Sequence, residues 1–315
     1  MLDLLIIGGS AAGMSAAIYA ARRNLKFKLI SNDLGGEVAL SGEVGNWPGI
    51  IKIQGFELSK KFAEHAKHYG TDISEGRLVE KIEPKDNYHV VTAKSAGGKI
   101  EVYESKTVII ATGIHPRSLN IPGEDKYRGK GITYCTVCDG PLFKEKITAT
   151  IGSGNSALES ALMMTDIAQR VYLITKYNNI QENNGGFPSG ENILIDKVKG
   201  ANNVEIIYNA LTTEIIGENM VTGLKYKDTK TGKEEEIKVN GVMVHIGQIP
   251  NSDFVDCVEK DKMKQIITDK KCRTSCAGIF AAGDVTDIPY NQIGIATGQG
   301  IIAALAAIEY INKWK

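Results

Sequence analysis

Two cysteines and a carboxylate lie close together near the middle of the chain. Cys135 and Cys138 are separated by two residues, and Asp139 follows at once. Two thiols on one helical turn can form a strained, readily reduced disulfide. Because only the thiolate attacks, Asp139 is the candidate acid–base group beside them. The spacing predicts a catalytic dithiol rather than half of a zinc site. Zinc takes four ligands and the sequence has no second pair at that spacing, so no metal is expected.

Two glycine-rich turns accompany the dithiol, one opening the chain at Gly8–Gly13 and one following it at Gly152–Ala157. Each lies between a predicted buried strand and a helix, where free N–H groups and the helix dipole favour a pyrophosphate. In the first turn Ser10 replaces a glycine, and its hydroxyl is expected to donate to the phosphates. The second turn supplies the candidates Gly152, Gly154, Asn155 and Ser156. Two nucleotide sites and a dithiol predict an electron relay, a flavin-dependent disulfide reductase.

The elements that position these residues form a repeated plan. Strands are predicted at 3–8, 27–30, 88–93, 99–103 and 107–111, with helices at 11–23 and 57–69. The plan restarts with strands at 147–151 and 171–174, a helix at 155–165, a polar loop at 178–190, a helix near 191–199, a hairpin at 221–228 and 235–239, and a strand at 242–246. A strand at 278–284 and a helix at 292–312 return to the first domain.

The fold class predicted is α/β, with two Rossmann-like dinucleotide-binding domains. Each is three-layered, combining a parallel sheet with a β-meander, and the second is inserted into the first. The first domain is expected to be discontinuous, at 1–113 and 244–315, and the second domain, which carries the CxxC pair, is expected at 114–243. The family resemblance that follows from the motifs implies FAD for the first domain and NAD(P) for the second.

Composition excludes several other classes. Of 315 residues 43% are apolar, and 37 basic residues balance 37 acidic ones, so no net charge recruits nucleic acid. No apolar run approaches the about 20 residues that a membrane helix requires, so no membrane association is expected. Five cysteines are too few for a stapled secreted protein, which predicts a cytoplasmic location. Cys257, Cys272 and Cys276 are expected to be packing or loop residues.

These motifs resemble the low-molecular-weight thioredoxin reductases over essentially the full length, and over residues 200–315 also the flavoprotein subunit of alkyl hydroperoxide reductase. The matching motifs are Ile6 to Gly13, Asn46 to Gly49, Ala111 to Gly113, Cys135 to Asp139, Gly152 to Ala157, Gly247 with Pro250 and Asn251, and Gly283 with Asp284. The resemblance implies FAD, a homodimer, and thioredoxin or a thioredoxin-like protein as the disulfide substrate. It also implies that Cys138 faces the flavin and that Cys135 attacks the partner. The FAD site that it implies contains Gly8, Gly13, Asn46, Thr112, Gly113, Asp284, Gln292 and Ile293, with Glu37 where the family often has Gln.

The chain departs from the family where a dinucleotide's adenine ribose is read. NADPH-dependent members carry arginines there, whereas this chain has Thr175, Lys176 and Tyr177. A single lysine lacks the arginine fork, and NADH sites would instead have an acid. Three explanations stay open: relaxed use of NADH and NADPH with Lys176 as a contact, a donor such as reduced ferredoxin or a reduced deazaflavin, or a rearranged 178–190 loop. NAD(P)H is favoured because the second glycine turn is intact.

Turnover requires the dithiol to meet both the flavin and a partner protein. Rotation about the crossings at 113–117 and 244–248 is the motion that we expect to alternate these contacts. The competing enzyme is the reductase component of a peroxide-reducing system, which normally has an additional N-terminal thioredoxin-like domain. That domain is not expected here, where the flavin strand begins at Leu4. A ferredoxin–NADP reductase would not need the cysteines, and the non-enzymatic alternative is a nucleotide-binding redox sensor.

Overall fold

The chain forms two compact units. A computed structural model describes residues 1–41 and 43–314, with all of their side chains except those of Glu43 and Cys138. Unit 1 comprises Met1–His115 and Ile249–Lys315, and unit 2 comprises Pro116–Gln248. In sequence, unit 2 therefore lies between the two segments of unit 1.

The elements follow in chain order. The first segment contains β1 (Leu2–Gly9), α1 (Ala11–Arg22), β2 (Phe27–Leu34), α2 (Gly36–Leu40), β3 (Glu43–Val44), β4 (Ile53–Gln54), α3 (Gly55–His68), β5 (Ile73–Glu75), β6 (Arg77–Pro84), β7 (His89–Ser95), β8 (Ile100–Ile110) and β9 (Ile114–Pro116). The middle of the chain contains α4 (Glu124–Tyr127), β10 (Ile132–Thr133), α5 (Thr136–Asp139), a 3₁₀ helix (Gly140–Phe143), β11 (Ile147–Gly152), α6 (Asn155–Thr165), β12 (Arg170–Ile174), a second 3₁₀ helix (Gln181–Gly186), α7 (Asn192–Gly200), β13 (Val204–Ile207), β14 (Ala210–Gly217), β15 (Val221–Asp228), β16 (Glu234–Lys238), β17 (Gly241–His245) and β18 (Gln248–Pro250). The tail adds β19 (Ile279–Ala281) and α8 (Ile293–Ile311).

Within the described residues, unit 1 is built on a seven-stranded sheet in the order β5-β2-β1-β8-β7-β6, with β19 also paired to β8. Strand β1 is parallel to β2 and β8. Its side chains alternate between two apolar clusters, Leu4 and Ile6 in one with α1 and α8, Leu5 and Ile7 in the other. Both faces are buried, which is why β1 is an unbroken apolar run.

Strand β8 differs from the prediction of two strands at 99–103 and 107–111. It is one strand that pairs antiparallel with β7 and then parallel with β1. The polar residues in its middle suggested a break, but the fold supplies their partners. Ser105 donates its hydroxyl to Thr107 O at 2.7 Å, and Lys106 Nζ lies 2.7 Å from Asp3 Oδ1.

Unit 2 repeats the plan on a smaller scale. In the part of the chain that the structure describes, it has a parallel five-stranded sheet, β10-β17-β11-β12-β13, and an antiparallel sheet, β14-β15-β16. The predicted hairpin is β15 and β16, which the unpredicted β14 extends to three strands. The predicted fold class, α/β with two Rossmann-like domains, is confirmed.

The two chain crossings fall at β9 and β18, which pair with each other. The Arg117 N–H donates to Gly247 O at 2.9 Å, and the Asn251 N–H donates to Gly113 O at 2.9 Å. Motion about these segments stays a prediction.

Helix α8 corrects one expectation from composition. By length and apolar character alone it could cross a membrane. Its residues Ala303, Ala304 and Ala307 are fully buried in the cluster that α1 shares. Close packing inside unit 1 therefore accounts for the small residues on one face of α8, whereas Ile302 and Leu305 are exposed.

Candidate active site

The first glycine turn joins β1 to α1 in unit 1. Gly8 has φ +118°, and a Cβ there would lie 2.1 Å from Ala111 O, so only glycine fits. Gly13 on α1 packs against this turn, where a Cβ would lie 1.9 Å from Gly8 O. The first turn of α1 has no acidic residue. Its free N–H groups can therefore hold an anionic pyrophosphate.

Ser10 has a partner that the sequence did not indicate. Its hydroxyl donates to Gly35 O at 2.6 Å and so joins the glycine turn to the turn after β2. A hydroxyl has one proton to donate. The expected donation to a phosphate would require this bond to break.

A cavity of about 1070 Å³ opens beside the turn and lies within unit 1. Of the predicted FAD residues, those that line it are Gly8, Ser10, Glu37, Thr112, Gly113, Asp284, Gln292 and Ile293. Asn46 is tied to this wall, since its Nδ2 donates to Gln292 Oε1 at 3.0 Å. The volume is at the upper end of small-molecule sites, as an extended dinucleotide requires.

Acidic side chains line part of the cavity. Burial raises the pKa of Asp284 to about 6. Burial, followed by the charges of Asp284 and Asp33, also raises the pKa of Glu37. Carboxylates accept hydrogen bonds from hydroxyl groups, and a helix N-terminus suits phosphates. The site thus fits a ligand with a pyrophosphate and several hydroxyls, as FAD has.

Asn251 belongs to this wall but was predicted only as part of a motif. Its Nδ2 donates to Thr112 O at 2.8 Å, and its Oδ1 lies 2.6 Å from His115 Nδ1. The Thr112 hydroxyl donates back to Asn251 O at 2.6 Å. These bonds fix the loop after β8, and the Pro250-Asn251 pair was the signal that could have identified them.

The second glycine turn, in unit 2, has the same form. Gly152 has φ +155°, and a Cβ there would lie 2.2 Å from His245 O. Helix α6 begins at Asn155 with no acid in its first turn. Asn155 Nδ2 donates to Glu191 Oε1 at 2.9 Å, and the Glu191 N–H donates to Asn155 Oδ1 at 2.8 Å. Of the other predicted residues, Gly154 forms a bridge with Ser189, and Ser156 is exposed.

The end of β12, where a dinucleotide's ribose would be read, is bonded to the loop that follows it. The Thr175 hydroxyl, which is buried, donates to Gly186 O at 2.8 Å. The stretch predicted as a polar loop thus contains the second 3₁₀ helix and folds back onto the end of β12. Lys176 is exposed, with its Nζ 5.4 Å from the centroid of the Tyr177 ring. Of Thr175, Lys176 and Tyr177, Lys176 is the residue whose positive charge suits a phosphate.

The dithiol segment lies at the start of α5 in unit 2. Cys135 is disulfide-bonded, and the side chain of Cys138 is outside the described part of the structure. The buried Thr133 donates its hydroxyl to Asp139 Oδ2 at 2.5 Å and accepts the Cys135 N–H at 3.0 Å. One threonine therefore fixes the acid relative to the first cysteine.

Hydrogen bonds among buried polar side chains attach α5 to the rest of unit 2. Thr136 Oγ1 lies 2.6 Å from Ser160 Oγ on α6 and 2.8 Å from His245 Nε2 on β17. Burial lowers the pKa of His245 to about 4, so the imidazole is neutral near pH 7. Helix α5, which follows Cys135, is thus attached to α6, which begins at the second glycine turn, and to β17, whose His245 carbonyl lies against Gly152.

Comparison with known proteins decides the family. The model of the pyridine nucleotide-disulphide oxidoreductases matches residues 2–302. The chain belongs to this family. One subunit of the alkyl hydroperoxide reductase of Escherichia coli is 37% identical over an aligned length of 318 residues, and the match covers 99% of this chain and 59% of that protein. This chain therefore spans about three fifths of the length of that relative.

Solved structures of thioredoxin reductases are similar to it over their whole length. The enzyme of Lactococcus lactis matches with a TM-score of 0.81 and 33% identity, covering 99% of this chain and 100% of that one. The enzyme of T. acidophilum matches with a TM-score of 0.77 and 37% identity, covering 100% and 99%. The predicted resemblance and the predicted class, an FAD-dependent disulfide oxidoreductase, are confirmed. Similarity to the alkyl hydroperoxide reductase subunit was predicted only over residues 200–315, and it extends over 99% of this chain. FAD and NAD(P)H are the cofactors of this oxidoreductase family.

Proposed function

We propose that this oxidoreductase reduces the disulfide of thioredoxin or of a thioredoxin-like protein through the pair Cys135 and Cys138. The observation that supports this most is local: a disulfide-bonded Cys135 has Asp139 fixed beside it by Thr133. Similarity to whole thioredoxin reductases supports the same substrate class.

The chain's own residues would divide the work as follows. The residues that line the unit 1 cavity would hold FAD, which when bound would supply electron-pair transfer from the donor to a disulfide. Reduction of the Cys135–Cys138 bond consumes two protons, and Asp139, oriented by the Thr133 hydroxyl, transfers one of them. The Cys135 thiolate then attacks the partner's disulfide, and Cys138 attacks the resulting mixed disulfide. The partner leaves as a dithiol and the intramolecular disulfide is restored.

NAD(P)H is the donor that we favour. The Gly152 turn and the first turn of α6, which itself contains no acidic residue, suit a pyrophosphate, which would lie near the Glu191 carboxylate bonded to Asn155. Lys176 would bind a 2′-phosphate as a single charge, without the paired hydrogen bonds of an arginine guanidinium. NADH and NADPH should therefore be poorly discriminated. Reduced ferredoxin or a reduced deazaflavin is the second candidate. It is favoured because the Thr175 hydroxyl, at the end of β12 where a ribose would be read, is already bonded to Gly186 O.

Other parts of the proposal rest on similarity alone. The relative that belongs to an alkyl hydroperoxide reductase supports, as an alternative, the reductase role in a peroxide-reducing system. A homodimer, a cytoplasmic location and the assignment of FAD to unit 1 and NAD(P)H to unit 2 also stay predictions.

The test is an anaerobic titration of the FAD-loaded protein with NADH, NADPH and reduced ferredoxin in parallel, following flavin absorbance. The true donor bleaches the flavin, and turnover then requires oxidised thioredoxin. We expect Cys138→Ser to abolish thioredoxin turnover while the donor still bleaches the flavin. Cys276→Ser, which removes a free thiol of unit 1, is the matched control and should turn over normally. Full turnover in Cys138→Ser would refute the proposal, and bleaching without any turnover in the wild type would favour the sensor.

A further inference from the structure

A threonine hydroxyl between the two cysteines of the CxxC pair is bonded to distant parts of unit 2. Thr136 is buried, and its Oγ1 lies 2.6 Å from Ser160 Oγ on α6 and 2.8 Å from His245 Nε2 on β17. Ser160 Oγ in turn lies 3.5 Å from Thr150 Oγ1 on β11. The Thr136 hydroxyl therefore links the dithiol segment to elements that are remote from it in sequence.

The turn that contains both cysteines has little stability of its own. Helix α5 comprises four residues, Thr136–Asp139. A single helical turn is unfavourable in isolation, because its formation fixes several backbone dihedrals in return for one hydrogen bond. Here that bond joins the Asp139 N–H to Cys135 O at 3.1 Å, and it encloses both cysteines. Bonds to the surroundings must therefore hold the turn in place.

Two threonines supply bonds of this kind. Thr133 lies just before the turn, where it accepts the Cys135 N–H and donates to Asp139, so its bonds are local in sequence. Thr136 instead bonds to residues that lie 24 and 109 positions away along the chain. Packing supports the same contact with α6, since a Cβ on Gly140 would lie 3.1 Å from Met164 Sδ. Thr136 thus attaches the turn to the body of unit 2.

We propose that Thr136 is a positioning residue of the dithiol, whose hydroxyl keeps residues 135–139 in their helical turn after the disulfide has been reduced. The inference rests on the proposed function, in which Cys135 and Cys138 form the redox disulfide. In the oxidised protein the S–S bond itself restrains the turn. In the dithiol protein that restraint is gone, and the bonds of Thr133 and Thr136 hold the turn.

A dithiol that is held in this way is a stronger reductant. As the pair gives two electrons and two protons to the partner's disulfide, its own S–S bond forms and the partner's S–S bond breaks. A turn that is already ordered loses little conformational entropy in this step. Without the Thr136 hydroxyl, the reduced turn samples other conformations, which formation of the S–S bond has to eliminate. The dithiol state is then favoured, and the reduction potential of the pair becomes less negative.

The test is a redox titration of FAD-loaded protein in dithiothreitol buffers, with alkylation of free thiols and mass mapping of the peptide that contains Cys135 and Cys138. Thr136→Val removes the hydroxyl and keeps the branched shape. We expect it to weaken formation of the disulfide about tenfold, which is about 30 mV for a two-electron couple. Thr136→Ser keeps a hydroxyl and should titrate within about twofold of the wild type. Thr148→Val is the matched control, since it removes a fully buried hydroxyl of β11 that has no hydrogen-bond partner within the described residues. It should titrate like the wild type.

The outcomes separate this inference from the proposed function. If oxidised wild-type protein has no link between Cys135 and Cys138, the proposed function fails. If the link forms but Thr136→Val has the wild-type potential, or Thr136→Ser and Thr148→Val shift it equally, only the role of Thr136 is overturned. Hydrogen exchange of the wild type needs no variant and so covers a substitution that prevents folding. Amides of residues 135–139 should stay protected when the disulfide is reduced, and loss of that protection would overturn the proposal.

Discussion

At the scale of single residues, Asp284 makes the FAD cavity sensitive to pH. Burial raises its pKa from 3.8 to about 6, so the folded protein disfavours the carboxylate. For a carboxyl with a raised pKa, the linked stability is fully present below the unfolded value and is lost as the pH rises through about 6. Flavin-free protein should therefore gain stability from this group as the pH falls from 8 to 4.

Asp284→Asn should remove that dependence. We expect the flavin-free variant to be more stable than the wild type at pH 8, by about 1–3 kcal/mol. The difference should shrink as the pH approaches 4, where the wild-type carboxyl is protonated. Urea unfolding of both proteins at several pH values measures the difference, to which Glu37 also contributes because the charge of Asp284 raises its pKa. A difference that is constant with pH would contradict the assignment.

Some residues of the candidate site could be predicted from the sequence, whereas the partners of others could not. Gly8 and Gly152 were predictable because a close backbone approach excludes every side chain. The partner of Ser10 was not, because its hydroxyl reaches Gly35, a residue on another turn that no local pattern connects to it. Asn251 is similar, since its role depends on lying beside Thr112 across a long stretch of chain.

At the scale of elements, Glu124 at the start of α4 holds the chain just before Cys135 in place through hydrogen bonds. Glu124 is buried, and its carboxylate accepts the N–H groups of Leu119 and Asn120, each at 2.7 Å. It also accepts the hydroxyl of Tyr134, the residue before Cys135. Burial and the bond to Glu124 raise the pKa of Tyr134 to about 12. A single carboxylate thus satisfies three donors.

Glu124→Ala should destabilise unit 2 because those donors lose their acceptor. A buried donor without an acceptor costs about 1–3 kcal/mol, and because Leu119 and Tyr134 are half-buried and Asn120 is exposed, these donors partly regain water and we expect a total loss of about 3 kcal/mol. Urea unfolding measures it, with Asp125→Ala as the exposed neighbouring control, expected within about 0.5 kcal/mol of wild type. Equal effects of the two substitutions would show that the buried network contributes little.

Element boundaries were predictable where local patterns decide them. Helix α6 has the predicted ends, because the glycine turn fixes its start. Strand β8 was divided wrongly, since Ser105 and Lys106 look like a break until Thr107 and Asp3 supply their partners. Strand β14 was missed because its residues, half polar, become a strand only by pairing with β15.

At the scale of the whole molecule, each unit has its own apolar clusters, and the cavity that we propose for FAD lies within unit 1. A ligand that binds only the folded form stabilises it by about 2.7 kcal/mol at a hundred times its dissociation constant. Saturating FAD should therefore slow hydrogen exchange in β1 of unit 1. Exchange in β11 of unit 2 should change less.

A nicotinamide donor should protect unit 2 from hydrogen exchange, as FAD should protect unit 1. If NADH or NADPH binds the Gly152 turn, either nucleotide should slow exchange in β11 and at the start of α6 while leaving β1 as FAD alone left it. Similar protection by both nucleotides is expected, because Lys176 reads the 2′-phosphate without an arginine fork. Hydrogen exchange of FAD-loaded protein, with and without each nucleotide, measures this protection peptide by peptide.

Two outcomes would contradict these predictions. Equal protection of β1 and β11 by FAD would show that the two units unfold together. No protection by either nucleotide, with the flavin still bleached by reduced ferredoxin, would transfer the donor role from the nicotinamides to an electron-carrying protein.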